Sequence, residues 1–199
     1  MQTEFLKLLD ARRGHFKLES GHHGDLWLEL DKLFLHPKKL DPFVMELAQR
    51  LAQHHITAVC GPLTGGAFIA QRIAAELDIE FYYTQRFVTP QVQGLYPVEY
   101  RLPDALKKHI AGQSCAIVDD VINAGSAVRG TFETLQSAGA NVKAIGAPLV
   151  LGSTAPDYFA THHIPMETIA QQTSGLWSPV DCPLCAMHTP LEDVTANVG

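Results

Sequence analysis

Two adjacent acidic residues followed by a run of small residues form the part of the sequence best suited to chemistry. The apolar segment 115–118 leads into Asp119 and Asp120, and the next residues are Val-Ile-Asn-Ala-Gly-Ser-Ala. Small side chains let backbone N–H groups approach an anion, and a helix start adds the positive end of its dipole. The segment therefore predicts a phosphate-binding loop with two carboxylates beside it.

This combination suits a sugar phosphate, because the phosphate needs hydrogen-bond donors and the ring hydroxyls need acceptors. The two carboxylates are also the kind of ligand that Mg²⁺ prefers. Taken alone, the same residues fit an acidic turn that caps a helix about equally well. A nucleotide triphosphatase is excluded, because the glycine turn at 61–66 lacks the lysine of a Gly-x-x-x-x-Gly-Lys-Ser/Thr loop.

Apolar segments alternate with helical patterns along the chain, which predicts an α/β domain with a parallel sheet flanked by helices. Ligands bind such sheets at the carboxyl ends of the strands, where Asp119 and Asp120 are expected. Strands are predicted at residues 57–60, 79–84, 114–118, 142–151 and, more weakly, 166–170. Helices are predicted from Asp41 with Pro42 at its first position, after the glycine turn to about 77, after the acidic pair to about 137, and at 156–161.

The remaining segments are less regular. Residues 4–11 have a short amphipathic pattern, and Leu26, Leu28 and Leu30 alternate as in a strand. Residues 86–103 contain three prolines, one glycine and little periodicity, which predicts a long loop or a hairpin. The last ~25 residues are expected to be irregular.

Three segments together resemble a known family. Residues 116–127 resemble the phosphoribosyl pyrophosphate (PRPP) motif of type I phosphoribosyltransferases, and Gly61-Pro-Leu-Thr-Gly-Gly66 lies where that family has its pyrophosphate loop. The segment 14–27, which contains Gly-His-Phe-Lys-Leu-Glu-Ser-Gly, resembles the N-terminal hood of the orotate phosphoribosyltransferases. The resemblance implies one domain of the type I phosphoribosyltransferase fold. Its core would span about 36–151, and its small hood would come from about 1–35 and parts of 152–199.

The resemblance also implies an activity. The enzyme would transfer the 5-phosphoribosyl group from PRPP to a nucleobase, orotate in the closest subfamily, and release pyrophosphate. It would need Mg²⁺ and would act by positioning and charge stabilisation, without a covalent intermediate. The family is commonly dimeric, so a homodimer is expected.

The family's roles carry over residue by residue. Asp119 and Asp120 would contact the ribose hydroxyls, directly or through Mg²⁺ and water, and would stabilise positive charge on the sugar; Arg86 would be the catalytic cation. The 5-phosphate would be bound by Asn123, Ala124, Gly125, Ser126 and Ala127. Pyrophosphate would be bound by Leu63, Thr64, Gly65 and Gly66, in a turn that the family builds with a strained or cis peptide. The hood and base contacts would come from Phe16, Ser20, Gly21, His22, His23 and Trp27.

The sequence departs from the orotate pattern around the acceptor and the catalytic loop. Phe87 stands where the family has a lysine after its arginine, and no lysine occurs between Lys39 and Lys107. Glu19 replaces a lysine of the hood, and His22 and His23 are expected to be neutral surface residues. No arginine follows Arg129, although orotate enzymes use one for the acceptor carboxylate. Two alternatives therefore remain: an enzyme for a different base, and a non-catalytic PRPP- or nucleotide-binding regulatory module.

The four cysteines fit a reducing compartment better than a disulfide framework. Cys60 and Cys115 lie in strand-like apolar segments and are expected to be small buried hydrophobes. Cys182 and Cys185 have the Cys-x-x-Cys spacing of half a zinc site, and a complete site would need His188, His162, His163 or a partner subunit. A packed turn of the tail is the favoured interpretation, and zinc is not expected there.

The overall composition excludes several other classes. Of 199 residues, 18% are charged and 46% are apolar, and the net charge of −6 comes without a lysine or arginine cluster, which argues against nucleic acid as a partner. No apolar run approaches the ~20 residues of a membrane span. The first residues lack the basic start and apolar core of a signal peptide, so we expect a cytoplasmic protein.

Overall fold

The computed structural model describes residues 1–88 and 95–194. The strands are β1 (Asp10–Lys17), β2 (His23–Glu29), β3 (Ala58–Pro62), β4 (Glu80–Val88), β5 (Val98–Arg101), β6 (Ser114–Val118), β7 (Val121–Ile122), β8 (Asn141–Leu151), β9 (Met166–Gln172), β10 (Leu176–Trp177) and β11 (Glu192–Asp193). The α-helices are α1 (Gln2–Leu6), α2 (Pro37–Ala52), α3 (Gly65–Leu77), α4 (Asp104–Ile110), α5 (Ser126–Ser137), α6 (Thr154–Thr161) and α7 (Pro183–Ala186). Short 3₁₀ helices cover Asp31–Leu35 and Pro179–Asp181.

The strands form two sheets. The core sheet has the order β5-β4-β3-β6-β8-β7, with β9 also paired to β8, and all its pairs are parallel except β4 with β5. The smaller sheet, called the hood below, has the order β10-β2-β1-β11 and joins the two ends of the chain. The mixed architecture confirms the predicted α/β class with a parallel sheet flanked by helices.

The core sheet is buried on both faces because successive residues of a strand point to opposite sides. In β6, Ala116 and Val118 pack with α2, α3 and the inner side of the hood, whereas Cys115 and Ile117 pack with α5 and α6. This two-sided burial explains the continuous apolar sequences of the central strands. It also confirms that Cys60 and Cys115 are buried hydrophobic residues; burial raises the pKa of the Cys60 thiol well above its ordinary value.

Several predicted boundaries were wrong. Helix α2 begins at Pro37 and not at Asp41, because Pro37 takes the first helical position and Pro42 is accommodated inside the helix. Helix α4 was missed because it has only seven residues. The strand predicted to end at residue 84 continues to Val88 and pairs antiparallel with β5, so the hairpin alternative for 86–103 applies to its described part; residues 89–94 lie outside the described residues.

The tail is more regular than expected. Its strands β10 and β11 pair with β2 and β1, so short ordered elements replace the predicted irregular segment up to residue 194. Residues 195–199, which the same prediction covered, lie outside the described residues. None of the helices in the described ranges is long and apolar enough to cross a membrane.

Leu47 tests the packing between α2 and the core sheet. Its side chain has no exposed surface and lies against Gly146 of β8. We expect Leu47→Ala to lower the free energy of unfolding by about 2–5 kcal/mol, because the lost apolar contacts leave a cavity. Leu35 is 70% exposed, so Leu35→Ala is the matched control and should change that free energy by less than about 0.5 kcal/mol. Urea denaturation followed by circular dichroism measures both, and equal losses would contradict the described packing.

Candidate functional site

The carboxylate pair lies at the carboxyl end of β6, in the middle of the core sheet. The register pairs Cys60 with Ile117, which brings the end of β3 beside the residues that follow β6. The Asp119 N–H donates to the Gly146 carbonyl at 3.0 Å. Asp119 Oδ1 accepts from the Asp120 N–H at 3.0 Å, and Asp120 Oδ1 accepts from the Val121 N–H at 2.7 Å. The parallel register and these backbone contacts therefore fix both side chains at one edge of the sheet.

The glycine turn between β3 and α3 packs directly against the two carboxylates. A Cβ atom at Gly66 would lie 2.7 Å from Asp119 Oδ1, and one at Gly65 would overlap Asp120 Oδ2. The turn contains a cis peptide bond between Leu63 and Thr64, which agrees with what the family resemblance implied. Only residues without a side chain bring the backbone of this turn so close to the acidic pair.

The two carboxylates share an environment that disfavours their charge. Burial, followed by the charge of Asp120, raises the pKa of Asp119 well above its ordinary value. Burial also raises the pKa of Asp120, although the N–H of Val121 partly opposes this effect. Because the unfolded chain has ordinary carboxyl pKa values, the charged pair destabilises the fold increasingly as the pH rises from ~4. A bound cation or hydroxyl donors would relieve this repulsion.

The small-residue loop after β7 leads into α5 as predicted. Gly125 has a φ of +82°, which favours glycine, and Ser126 is the first residue of α5. The Asn123 Oδ1 atom is buried and has no hydrogen-bond partner among the described residues. An amide can be turned to present its NH₂ group instead. The loop therefore contains a buried polar side chain available to a ligand.

Arg129 is a cation beside this loop that the sequence analysis did not single out. Its guanidinium lies over the rings of Tyr96 and Tyr158, with 4.6 Å and 4.0 Å to the centroids, and donates to the Thr154 carbonyl at 3.1 Å. Its Nε atom is buried without a partner among the described residues, and a Cβ atom at Gly125 would lie 3.6 Å from it. Its position one turn after Gly125 on α5 was the signal that could have identified it.

The hood turn between β1 and β2 approaches the same loop through Tyr96. The Tyr96 N–H donates to the Ser20 carbonyl at 2.8 Å, and its hydroxyl donates to the Ala124 carbonyl at 3.3 Å. His22 packs edge-on against Tyr96, and its Nδ1 is 3.0 Å from the Ser20 hydroxyl. Gly21 has a φ of +80° and closes the turn. The structure thus brings the predicted hood turn and the predicted phosphate loop together.

The two hood histidines are not the surface residues that the sequence analysis expected. His22 is half-buried; burial, followed by the positive charge of Arg129, lowers its pKa. His23 is only 6% exposed, and burial, followed by the charge of His15, lowers its pKa. The expected neutral state therefore agrees with both pKa shifts, but the expected exposure is wrong because the tail covers β2.

Glu19 holds Arg86 at the edge of the site. Arg86 Nε donates to Glu19 at 2.7 Å, and the Tyr100 hydroxyl donates to the same carboxylate at 2.8 Å. The Ser126 hydroxyl also approaches Glu19, at 3.3 Å. The burial of Tyr100 and the neighbouring charge of Glu19 raise the pKa of that phenol above its usual range. The predicted catalytic cation is therefore paired with an acid that also contacts the predicted phosphate loop.

The other predicted residues take different positions. Phe16 and Trp27 pack on each other in the hood, with ring centroids 6.5 Å apart. Cys182 and Cys185 lie close to His15 and His23. The histidines considered from the sequence, His188, His162 and His163, are not part of this group. A cavity of about 530 Å³ lies between β5 and α5. Neither Asp119 and Asp120 nor the glycine turn lines this cavity, so the site is assigned from the geometry of the two carboxylates.

Comparison with known proteins identifies the family of the chain. The family model of the phosphoribosyl transferase domain matches residues 38–155. Orotate phosphoribosyltransferase of Caldanaerobacter subterraneus subsp. tengcongensis is 28% identical over 187 residues, which cover 94% of this chain and 91% of the relative.

Solved structures share the fold. Orotate phosphoribosyltransferase from Aeropyrum pernix has a TM-score of 0.61 and 24% identity, and the match covers 81% of this chain and 87% of that one. Adenine phosphoribosyltransferase from Thermoanaerobacter pseudethanolicus has a TM-score of 0.66 and 14% identity, and the match covers 85% and 98%. The family model matches more than half of the residues of this chain, and the chain therefore belongs to the phosphoribosyl transferase domain family.

Proposed function

We propose that this protein transfers the 5-phosphoribosyl group from PRPP to orotate, giving orotidine 5'-phosphate and pyrophosphate. The observation that carries the proposal is the carboxylate pair Asp119–Asp120, set against the Gly65–Gly66 backbone and followed by the loop at 123–127. This arrangement offers acceptors for ribose hydroxyls between two places where backbone N–H groups can meet phosphates. The orotate phosphoribosyltransferase relatives support the choice of acceptor.

The chain's own residues have distinct tasks in this reaction. Residues 63–66 hold the pyrophosphate that leaves, and residues 123–127, with Arg129 beside them, hold the 5-phosphate. A nitrogen of the base forms a bond to C1 of the ribose and loses its proton to the solvent. The bond from C1 to the pyrophosphate oxygen breaks, and its electron pair leaves with pyrophosphate. Asp119 and Asp120 orient the ribose hydroxyls and stabilise the positive charge that develops on the sugar ring.

The oxygen-rich pair also fits Mg²⁺, which prefers carboxylate, water and phosphate oxygens. Asp119 and Asp120 would hold the ion mainly through water and the ribose hydroxyls, and their raised pKa values fit a site that gains from a cation. A Mg²⁺ ion held there would supply positive charge to neutralise the leaving pyrophosphate. The proposal extends to a homodimer, as the family resemblance implies, and to a cytoplasmic location.

The acceptor side motivates a second candidate, an enzyme for a different base. Strand β8 ends at Leu151 and is followed by Gly152, so no arginine stands there for the orotate carboxylate. A buried carboxylate without a cation is unfavourable, so backbone N–H groups or a histidine would have to bind the orotate carboxylate in place of the arginine.

A pyrophosphate-release assay with PRPP, Mg²⁺ and orotate, uracil or purines compares the candidates. We expect turnover with orotate, and the matched controls omit either the base or the metal. Turnover with a neutral base alone would move the function to the second candidate. The protein would instead be a regulatory binding module if calorimetry shows Mg²⁺-dependent PRPP binding but no base gives pyrophosphate release.

The acidic pair should contribute to activity while destabilising the fold. We expect Asp119→Asn to raise the melting temperature at pH 7, because the amide resembles the protonated carboxyl group that burial favours. The gain should vanish below pH ~4, where the carboxyl group is protonated in the unfolded chain as well as in the native one. Combined with Asp120→Asn, it should abolish turnover and weaken PRPP binding.

Asp104→Asn is the control for the acidic pair. This exposed carboxylate is paired with Lys107, which lowers its pKa, so its replacement should not raise the melting temperature or alter turnover. Calorimetric melting between pH 3 and 8, together with steady-state kinetics, provides both readouts. Full activity in the double variant would refute the assignment of the site.

Glu19 should weaken PRPP binding, because its negative charge contacts Ser126 and neutralises Arg86. We expect Glu19→Gln to lower the KM for PRPP several-fold at low salt. Glu46→Gln is the matched control, since Glu46 forms a similar ion pair with Arg50 on α2 and should leave that KM unchanged. A higher KM for Glu19→Gln would mean that the carboxylate assists binding instead.

A further inference from the structure

Four side chains with metal-binding atoms meet where the tail crosses the hood. His15 lies on β1, His23 begins β2, and Cys182 and Cys185 flank the start of α7. One nitrogen or sulfur atom from each of the four lies within 4.8 Å of every other. The sequence separates these cysteines from the histidines by about 160 residues, so only the folded chain brings the group together.

The distances between these atoms match a tetrahedral site. His15 Nε2 lies 3.1 Å from His23 Nδ1 and 3.4 Å from Cys182 Sγ. Cys185 Sγ lies 3.3 Å from His23 Nδ1 and 3.8 Å from His15 Nε2. Zinc bonds of ~2.3 Å to sulfur and ~2.0 Å to nitrogen place tetrahedral ligands about 3.3–3.8 Å apart. Four of the six ligand pairs thus lie near this spacing, and the other two lie within 4.8 Å.

A backbone hydrogen bond orients the ring of His15 toward the other three side chains. Its Nδ1 lies 2.8 Å from the Thr189 carbonyl, which can only accept a hydrogen bond, so the ring proton is on Nδ1. The lone pair of Nε2 is then directed at the group, and a metal-binding histidine commonly has such a backbone partner. His15, His23 and Cys182 are each no more than 6% exposed, which favours a closed site.

We propose that His15, His23, Cys182 and Cys185 bind one structural Zn²⁺ ion that fastens the tail to the hood. Two thiolates and two neutral imidazoles make a complete Cys₂His₂ set, and the Cys-x-x-Cys spacing is typical of structural zinc. The two cysteines lose their thiol protons on binding, and their negative charges balance the charge of Zn²⁺. With all four positions filled by protein, no position is open for a substrate.

The proposed ion would stabilise the part of the hood that borders the candidate active site. The tail strands β10 and β11 form the two edges of the hood. Trp177 of β10 pairs with His23, and Glu192 of β11 pairs with Phe16, but each of the two strands forms only two residue pairs. Such short strands are marginal by themselves. A metal that joins β1, β2 and α7 would hold this sheet together and would fix His23 next to His22.

Metal analysis of the full chain, purified under reducing conditions without added chelator, tests the proposal. We expect about one zinc per chain by mass spectrometry of the metals. Cobalt substitution should give the intense visible bands of tetrahedral coordination and a thiolate charge-transfer band in the near ultraviolet. The variants Cys185→Ser and His23→Asn should each lose most of the zinc.

His188→Asn is the matched control, because this exposed histidine is near Cys185 in sequence but outside the group. Its left-handed backbone conformation tolerates asparagine, so it should keep the zinc. Chelation should lower the melting temperature of the unmodified chain and of His188→Asn by several degrees, and should expose the tail to protease.

Three outcomes would overturn the proposal. They are a reduced, folded chain that binds no zinc, zinc binding that survives both ligand substitutions, and a Cys182–Cys185 disulfide in freshly purified protein. None of these readouts uses turnover, so they are independent of the proposed transferase function.

Discussion

The close approach of two buried carboxylates to a polypeptide backbone is the constraint on which the rest of the site depends. Asp119 and Asp120 lie at the end of β6 with raised pKa values, and Gly65 and Gly66 leave no room for a side chain next to them. This arrangement is unfavourable for an unliganded fold, and parallel strands on both sides of β6 hold it in place. A bound cation or hydroxyl donors would relieve the repulsion between the two carboxylates, and this relief would favour ligand binding.

Two arginines of the described residues lie near the predicted site, and their partners differ. Arg129 is held by two aromatic rings next to the loop at 123–127, with its Nε atom buried and unpaired among the described residues. Arg86 is instead neutralised by Glu19. In the proposed reaction, the phosphate end would therefore have a preorganised cation, whereas the leaving-group end would rely on backbone N–H groups and on a metal that accompanies the substrate.

Sequence patterns predicted the parts of this structure that depend on local chemistry. The apolar strand, the acidic pair and the small-residue loop were predicted at 114–127 because burial and turn chemistry are encoded in adjacent residues. The predicted start of α2 was wrong because either Pro37 or Pro42 could mark the first helical position, and the helix begins at the earlier one. Contacts between distant segments, such as Glu19 with Arg86 and Ser126, have no local signal and required the fold.

The same reasoning explains why the cysteine pair was interpreted as a packed turn. A Cys-x-x-Cys segment is half of a metal site, and its other half here comes from β1 and β2, where His15 and His23 belong to different strands of a hairpin. The molecule would thus separate two ions by their chemistry. Oxygen ligands at the end of β6 suit a hard, exchangeable cation, whereas sulfur and nitrogen ligands in the hood suit a permanent one. His22 contacts Tyr96 next to the loop at 123–127, and the adjacent His23 belongs to the proposed zinc site. Zinc binding would therefore also order the hood turn that borders the carboxylate site.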